Sequence, residues 1–463
     1  MACASANMAQ ERRMNNPASV RGTQGGAGAR FSPACTLPEP TRSRCNTPVL
    51  PHPLPPSEEA AYNWQFWMAY VANAALVAAN SLLFRYVEFV RLYEPLDTRL
   101  WLGIIVGVGM VGSLLMRLVQ GSAIDHYGAR RMWLASTMIF VVACLSHLML
   151  HSVREPWVFV LRVMFNVALA GAFGSSMVYI SRRASPERMA ELIGTLGTSG
   201  FIGMILGPVS GDLLFNNALS PAYNVQRMFL LASALGMVAM LFAALATHSS
   251  QPPAIHHRRP PLGWLLKRYY PGAILWVGVA VGMGLAITQS FLADFAADRG
   301  ITSIAVFYNS FAITAFITRL SIRSFPQKYG FRPMLLLGSA GQVISFLLLL
   351  VVYSKWMFLF PGMVAGFAHA FFFPGVVAGG GTAFPARYRG IGTTLMMGTF
   401  DLGILLGAPS TGALLFVFRH WGWPPYPLTL LCINGVLAAV GLYYYFQPPQ
   451  HITRYRPMSE KMP

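Results

Sequence analysis

Residues 100–131 read Leu100-Trp-Leu-Gly-Ile-Ile-Val-Gly-Val-Gly-Met-Val-Gly-Ser-Leu-Leu-Met-Arg-Leu-Val-Gln120 and then Gly121-Ser-Ala-Ile-Asp125-His126-Tyr-Gly128-Ala-Arg130-Arg131. The first part is a run of membrane length, because a helix crossing a ~30 Å hydrocarbon layer needs about 20 mostly apolar residues. The second is a polar turn that stops the crossing. Outward from this pair the same alternation recurs, with apolar runs at Trp64 to Val87, Met132 to His151, Trp157 to Ile180, Ala190 to Leu214 and Arg227 to Ala246 in the first half. The second half has Gly272 to Asp294, Ile304 to Ile322, Pro333 to Val352, Trp356 to Ala378, Ile391 to Val417 and Leu428 to Phe446. An open sheet would leave backbone groups unpaired in lipid, and these runs are not the short alternating segments of a barrel. The fold class expected is an all-α membrane protein with about twelve transmembrane helices in two six-helix pseudo-repeats.

Composition agrees. The chain is 55% hydrophobic and 11% charged, against about 25% charged in a soluble domain. Its formal charge of +18 would suit a nucleic-acid binder, but the basic residues fall between apolar runs and on alternate connections. Arg130, Arg131, Arg182, Arg183, Arg258, Arg259, Arg323, Arg332, Arg387 and Arg389 share one side. The opposite connections, with Arg91, Arg99, Arg154 and Arg299 among them, are poorer in charge. That is the distribution of the positive-inside rule, which speaks against a nucleic-acid role and places both termini in the cytoplasm; the expected location is the plasma (inner) membrane. The expected organisation is a disordered tail at 1–62, a six-helix bundle at 63–247, a cytoplasmic linker at 248–271, a second bundle at 272–446 and a tail at 447–463. Cys3, Cys35, Cys45, Cys144 and Cys432 show no metal spacing, and three of them lie in the polar tail, so neither a disulfide framework nor a zinc site is expected.

The halves resemble each other. Arg117-Leu-Val-Gln-Gly121 followed by Tyr127-Gly128-Ala-Arg130 matches Arg319-Leu-Ser-Ile-Arg323 followed by Tyr329-Gly330-Phe-Arg332, both at an offset of 319 − 117 = 330 − 128 = 202. Further on, Trp157 matches Trp356, Pro186 matches Pro385 and Arg188 matches Arg387, each at 199. Internal repeats of this kind are how many transporters build two bundles around a central site.

The stretch Gly121 to Arg131 resembles the signature loop of the major facilitator superfamily, Gly-x-x-x-Asp-[Arg/Lys]-x-Gly-x-[Arg/Lys]-[Arg/Lys], with His126 as its one departure. Gly121 suits close helix approach, Gly128 a tight turn, and Arg130 and Arg131 hold the loop in the cytoplasm. The resemblance implies that Asp125 meets the start of span 11 in an outward-open state. Gly194, Gly203, Gly207-Pro208 and Gly211 in span 5 resemble the family's Gly-x8-Gly-x3-Gly-Pro-x2-Gly element, often seen in exporters, with Asp212 where a second glycine is common. This favours efflux over uptake; the plainer reading is helix packing.

Ionisable groups inside the spans mark the pathway, since a charge at mid-bilayer is expensive. Arg162 lies about six residues, ~9 Å, into span 4, where many proton-coupled members of the resembled family carry an arginine. Asp401 lies near the middle of span 11. Low dielectric favours a neutral carboxyl and a nearby cation favours a charged one, so Asp401 is expected to bind a proton or a cationic substrate group, or else to sit in a structural pair. His369, Gln289, Tyr308, Asn309, Asn73 and Asn80 are candidates for the same cavity. Arg85 and Glu88 read as a local pair, and Phe371 to Phe373 as core packing or a bulky gate.

Together these features predict a secondary transporter for a small organic solute, working by alternating access and coupled to protons. No cofactor, no metal and no nucleic acid is expected; the partners are the solute, protons and the lipid bilayer, and a monomer is anticipated. The alternatives are a uniporter or uptake symporter, and a transporter-like receptor or scaffold that binds without moving solute. An enzyme is disfavoured, because the sequence offers no nucleophile–base set or phosphate-cradling loop.

Overall fold

The computed structural model describes residues 62–183, 188–248, 262–385 and 388–448. The tail at 1–61, residues 249–261 of the linker, Pro186 and Arg387 of the repeat comparison, and everything after 448 lie outside these ranges. Among the described residues there is helix and no strand. The spanning helices are α1 (Trp64–Tyr93), α2 (Thr98–Tyr127), α3 (Ala129–Met149), α4 (Pro156–Ser181), α5 (Met189–Phe215), α6 (Pro221–Ala246), α7 (Ala273–Asp298), α8 (Ala305–Ser321), α9 (Phe331–Leu350), α10 (Lys355–Gly379), α11 (Arg389–His420) and α12 (Pro425–Phe446). Eleven of these are long and apolar enough to cross a membrane. The remaining one, α8, has 17 residues, about 25 Å of helix, which is the lower end of what a bilayer requires. The chain is a multi-pass all-α membrane protein.

Local chemistry sets the helix starts. Asn63 Oδ1 accepts from Phe66 N at 3.0 Å ahead of α1, and Ser220 Oγ accepts from Tyr223 N at 3.3 Å ahead of α6, with Pro221 at the first helical position. Both are N-terminal caps that satisfy donors the helix cannot. The turns between α2 and α3 and before α9 run through Gly128 (φ 84) and Gly330 (φ 78), a backbone that only glycine adopts without strain. The repeat extends to side chains: Arg130 Nη1 donates to Thr247 C=O at the end of α6 (2.8 Å) and Arg332 Nη2 to Tyr445 C=O near the end of α12 (2.6 Å). The two arginines are related by the 202-residue offset.

In lipid no hydrophobic force drives helices together, so small residues that admit close backbone approach do the work. A methyl group on Gly103 of α2 would stand 2.5 Å from Ala408 C=O of α11, and one on Gly403 of α11 would stand 2.5 Å from the Gly282 Cα of α7. Meanwhile Leu213, Leu241, Met138 and Phe446 stay exposed, a pattern suited to a lipid surface. Irregular turns that the apolar pattern did not disclose include a tight turn at Leu83–Arg85 in α1 and wide π-helical turns at Ile287–Phe291 in α7 and Gly375–Gly379 in α10. Wide turns release backbone carbonyls from the helix ladder and often mark functional sites. Here the Tyr308 hydroxyl donates to the freed Thr288 C=O.

Candidate substrate cavity and its gates

The irregular turns of α1 and α7 face each other across the middle of the molecule. There a cavity of about 30 Å³ is enclosed by α1 (Asn80, Phe84, Tyr86), α2 (Met110), α4 (Arg162, Asn166), α7 (Gln289, Ser290) and α11 (Ile404). A second, of about 60 Å³, is lined by Met204, Thr288, Gln289, Tyr308, Gln342 and His369. Gln289 of the π-helical turn borders both. Such volumes admit a water or two, whereas solute sites run to roughly 300–1,000 Å³. The helices stand closed around the site, and a solute enters only if they part.

Arg162 is the cationic wall of the first cavity. Its residue is 8% exposed, its guanidinium stands 4.6 Å over the Tyr86 ring and 4.7 Å over the Phe165 ring, and its Nε is buried without a hydrogen-bond partner. Among the described residues no carboxylate pairs with it. Gly109 of α2 makes the room, since a methyl there would stand 2.6 Å from Arg162 Cγ and 2.7 Å from Asn166 Nδ2. In the second cavity, His369 has Nδ1 buried and unpartnered and lies 5.3 Å from the Phe311 ring and 5.5 Å from the Phe373 ring.

Gln289, His369, Tyr308 and Asn80 thus line the cavities with Arg162. Asn73 instead donates to Ser199 Oγ at 3.0 Å, tying α1 to α5, and Asn309 borders neither cavity, its Oδ1 buried and unpartnered. Asp401 does not border them either. Its carboxylate accepts from Ser113 Oγ at 2.6 Å, from Arg117 Nε, and from Arg117 Nη2 at 3.3 Å, all on α2. Arg117 is its one charged partner among the described residues, and the pair crosses from one repeat to the other.

The face that carries the α1–α2 connection is locked by charge. Asp294 of α7 receives Arg91 Nη2 at 2.5 Å, Arg99 Nε at 2.6 Å and the Tyr426 hydroxyl at 2.5 Å, and Arg99 also reaches Asp298 at 2.5 Å. Beside this, Asp212 of α5 receives Arg85 Nη2 at 2.5 Å, Ser303 Oγ at 2.5 Å, Ile304 N at 3.2 Å and Ala305 N at 2.9 Å. The last two are the first donors of α8, so the carboxylate sits where a helix terminus favours negative charge. The Arg85–Glu88 contact foreseen in the sequence is present at 3.8 Å, but the short bond of Arg85 is to Asp212.

On the opposite face Asp125 receives Arg182 Nη2 at 2.9 Å, Arg130 closes α6 as described, Arg131 is exposed, and the His126 ring lies edge-on to Tyr127 at 4.6 Å. Of the span 5 glycines, Gly203 and Gly207 fit directly against α1: added methyls would stand 2.6 Å from Val77 Cβ and 2.1 Å from Ser81 Oγ. Gly211 faces the Arg85 side chain, next to Pro208, which α5 carries without interruption. Gly194 meets nothing within 4 Å, so helix packing does not account for it. Phe371 and Phe372 are core residues; Phe373 stacks on Phe400 at 5.7 Å.

Sequence reasoning missed Arg117, Arg99, Asp294 and Arg319 as site residues. Arg117 and Arg319 were visible as charges inside apolar runs at matching repeat positions, which is the signal that could have found them.

A family model described as Major Facilitator Superfamily matches residues 65–325 and 274–461. Curated relatives include the MFS-type transporter SLC18B1 of Homo sapiens, 30% identical over 33% of this chain and 33% of that protein. Another is the multidrug resistance protein MdtG of Escherichia fergusonii, 23% identical over 41% and 46%. The chain spans less than half the length of these relatives. Among solved structures, the nucleoside transporter NupG superposes with a TM-score of 0.66 at 14% identity over 85% of this chain and 100% of that one. A D-xylose-proton symporter does so with 0.64 at 14% over 82% and 96%. At such identity the likeness is one of fold.

Proposed function

The chain belongs to the major facilitator superfamily, and from that premise we propose that it is a secondary active transporter that moves a small organic solute past Gln289 by alternating access, coupled to protons, with export as its direction. The observation that carries this reading is the central cavity closed by ion pairs that join the two repeats. Arg91 and Arg99 bind Asp294, and Arg117 binds Asp401. Pairs of this kind favour the closed arrangement, because deleting one partner while the site stays closed leaves a buried charge unpaired.

Asp401 is the coupling group in this scheme. A proton on its carboxyl removes the charge that holds Arg117, loosening α2 from α11. When the proton leaves, the pair re-forms and the helices close. The arginine distribution supports an extracytoplasmic position for the locked face and cytoplasmic termini, in a reading that has the protein in a plasma (inner) membrane. Export is supported by relatives named multidrug resistance proteins, and proton coupling by the fold shared with a proton symporter.

The test is thermal stabilisation of the purified chain by a panel of sugars, organic acids, amino acids and lipophilic cations at two pH values, with Asp401→Asn alongside. A specific ligand at 100 times its Kd stabilises by about 2.7 kcal/mol. The reading expects a ligand whose pH dependence disappears in Asp401→Asn. A ligand with the same affinity and pH dependence in the variant removes Asp401 from the mechanism.

A further inference from the structure

We infer that the Arg162 cavity receives the oxyanion head of an amphiphilic organic solute, so that the substrate class is an organic anion; this rests on the transport reading above. The first observation is a charge balance. Among the described residues, the carboxylates in the membrane core are already held: Glu88 by Arg91 at 2.8 Å, Asp212 by Arg85, Asp294 by Arg91 and Arg99, and Asp401 by Arg117. None is free to receive an ammonium group. Two arginines beside the cavities have no carboxylate, Arg162 and Arg319.

A guanidinium stays charged at every physiological pH, and a buried charge requires a counter-charge. The rings of Tyr86 and Phe165 support Arg162 through their faces, but a quadrupole is not a neutralising anion. With its Nε sealed in protein and its head on the cavity, the counter-ion must arrive from the cavity itself. The planar fork of arginine favours two-point bonds to a carboxylate, sulfonate or phosphonate, and Asn80, Asn166 and Gln289 stand at the same cavity as neutral hydrogen-bonding groups.

The second observation is independent. Arg319 is the repeat mate of Arg117, at the offset of 202. Where Arg117 finds Asp401 on α11, Arg319 finds the Phe201 ring on α5 at 5.2 Å, and Phe373 at 5.5 Å. The symmetry is broken in the direction that leaves a positive charge. The linings of the two cavities also include Phe84, Met110, Met204 and Phe311, which suit an apolar or aromatic body.

The test is binding to the full-length chain in lipid nanodiscs, using p-toluenesulfonate, its neutral isostere p-toluenesulfonamide and the cation p-tolyltrimethylammonium, with 4-methylbenzoate as a second anion. The expected result is a Kd for the anions at least about tenfold below those of both isosteres. That preference should be absent in Arg162→Gln and retained in Arg162→Lys. If Arg162→Gln does not fold, Gly109→Ala, which crowds Arg162, must weaken the anions and spare the sulfonamide. Absence of anion binding, equal binding of the cation, or a preference that survives Arg162→Gln overturns the inference. Anion binding without flux in proteoliposomes rejects transport and leaves the anion site standing, whereas flux of the cation alone does the reverse.

Discussion

Replacing Asp212 by asparagine should open the face locked by the arginines. The carboxylate, on α5, holds four donors from two elements: Arg85 of α1 and the Ser303, Ile304 and Ala305 groups that begin α8. Asparagine keeps the shape and one acceptor oxygen but loses the charge, leaving Arg85, 5% exposed, with an amide. Charge-assisted bonds are about twice as strong as neutral ones, and deleting one partner of a buried pair costs about 3–5 kcal/mol. Since some bonds survive, about 2–3 kcal/mol is the fitting figure. With this face open, water solvates both groups, so the loss falls on the closed state. At 1.36 kcal/mol per decade, that raises the open population by roughly 30- to 150-fold. The assay is labelling of Ser290→Cys, a cavity residue, by an impermeant maleimide added to the extracytoplasmic side of oriented vesicles. Cys3, Cys35, Cys45 and Cys432 are replaced by serine for this purpose. Asp212→Asn should speed labelling by up to that factor. An unchanged rate in a folded variant refutes the idea that this bond holds the gate.

Three further substitutions follow from packing. Gly203→Val places side-chain atoms where Val77 and Ala74 of α1 already stand, so the melting temperature should fall by an amount equivalent to about 1–3 kcal/mol; Gly194→Ala, in the same glycine element but in open space, should leave it unchanged or slightly higher. Gly109→Ala should displace the Arg162 side chain and weaken ligand binding by about tenfold with little loss of secondary structure, measured by titration and circular dichroism.

The spans were legible because a bilayer demands length and apolarity in every crossing; α11 could be placed within three residues, whereas α2 continues past the expected stop at Gln120 through the polar stretch to Tyr127. Their irregular turns were not, since Leu83–Arg85 and Ile287–Phe291 lie inside runs of ordinary helical length and differ from regular helix in hydrogen bonding, which composition does not reveal. The repeat was legible from Gly128 and Gly330, whose positive φ leaves few alternatives to glycine. Of the site, Arg162, Gln289 and His369 could be chosen by the cost of burying polar groups. The bond from Asp401 to Arg117 could not, because a sequence gives the depth of a residue in its own span and not the azimuth that decides which helix it faces. For the same reason Asp294, read as a span end, emerged as the centre of a four-residue lock with Arg91, Arg99 and Tyr426.

Uphill movement of solute is the central claim, and one measurement addresses it most directly. Proteoliposomes containing the full chain are given equal labelled p-toluenesulfonate on both sides, and a pH gradient is then imposed. That probe is charged at every pH used, so any response to the gradient belongs to the protein. The account predicts accumulation against the concentration gradient by the wild type, and in Asp401→Asn only equilibration, unaffected by the gradient. Accumulation of equal size in Asp401→Asn, or none in a wild type that binds the probe, contradicts it.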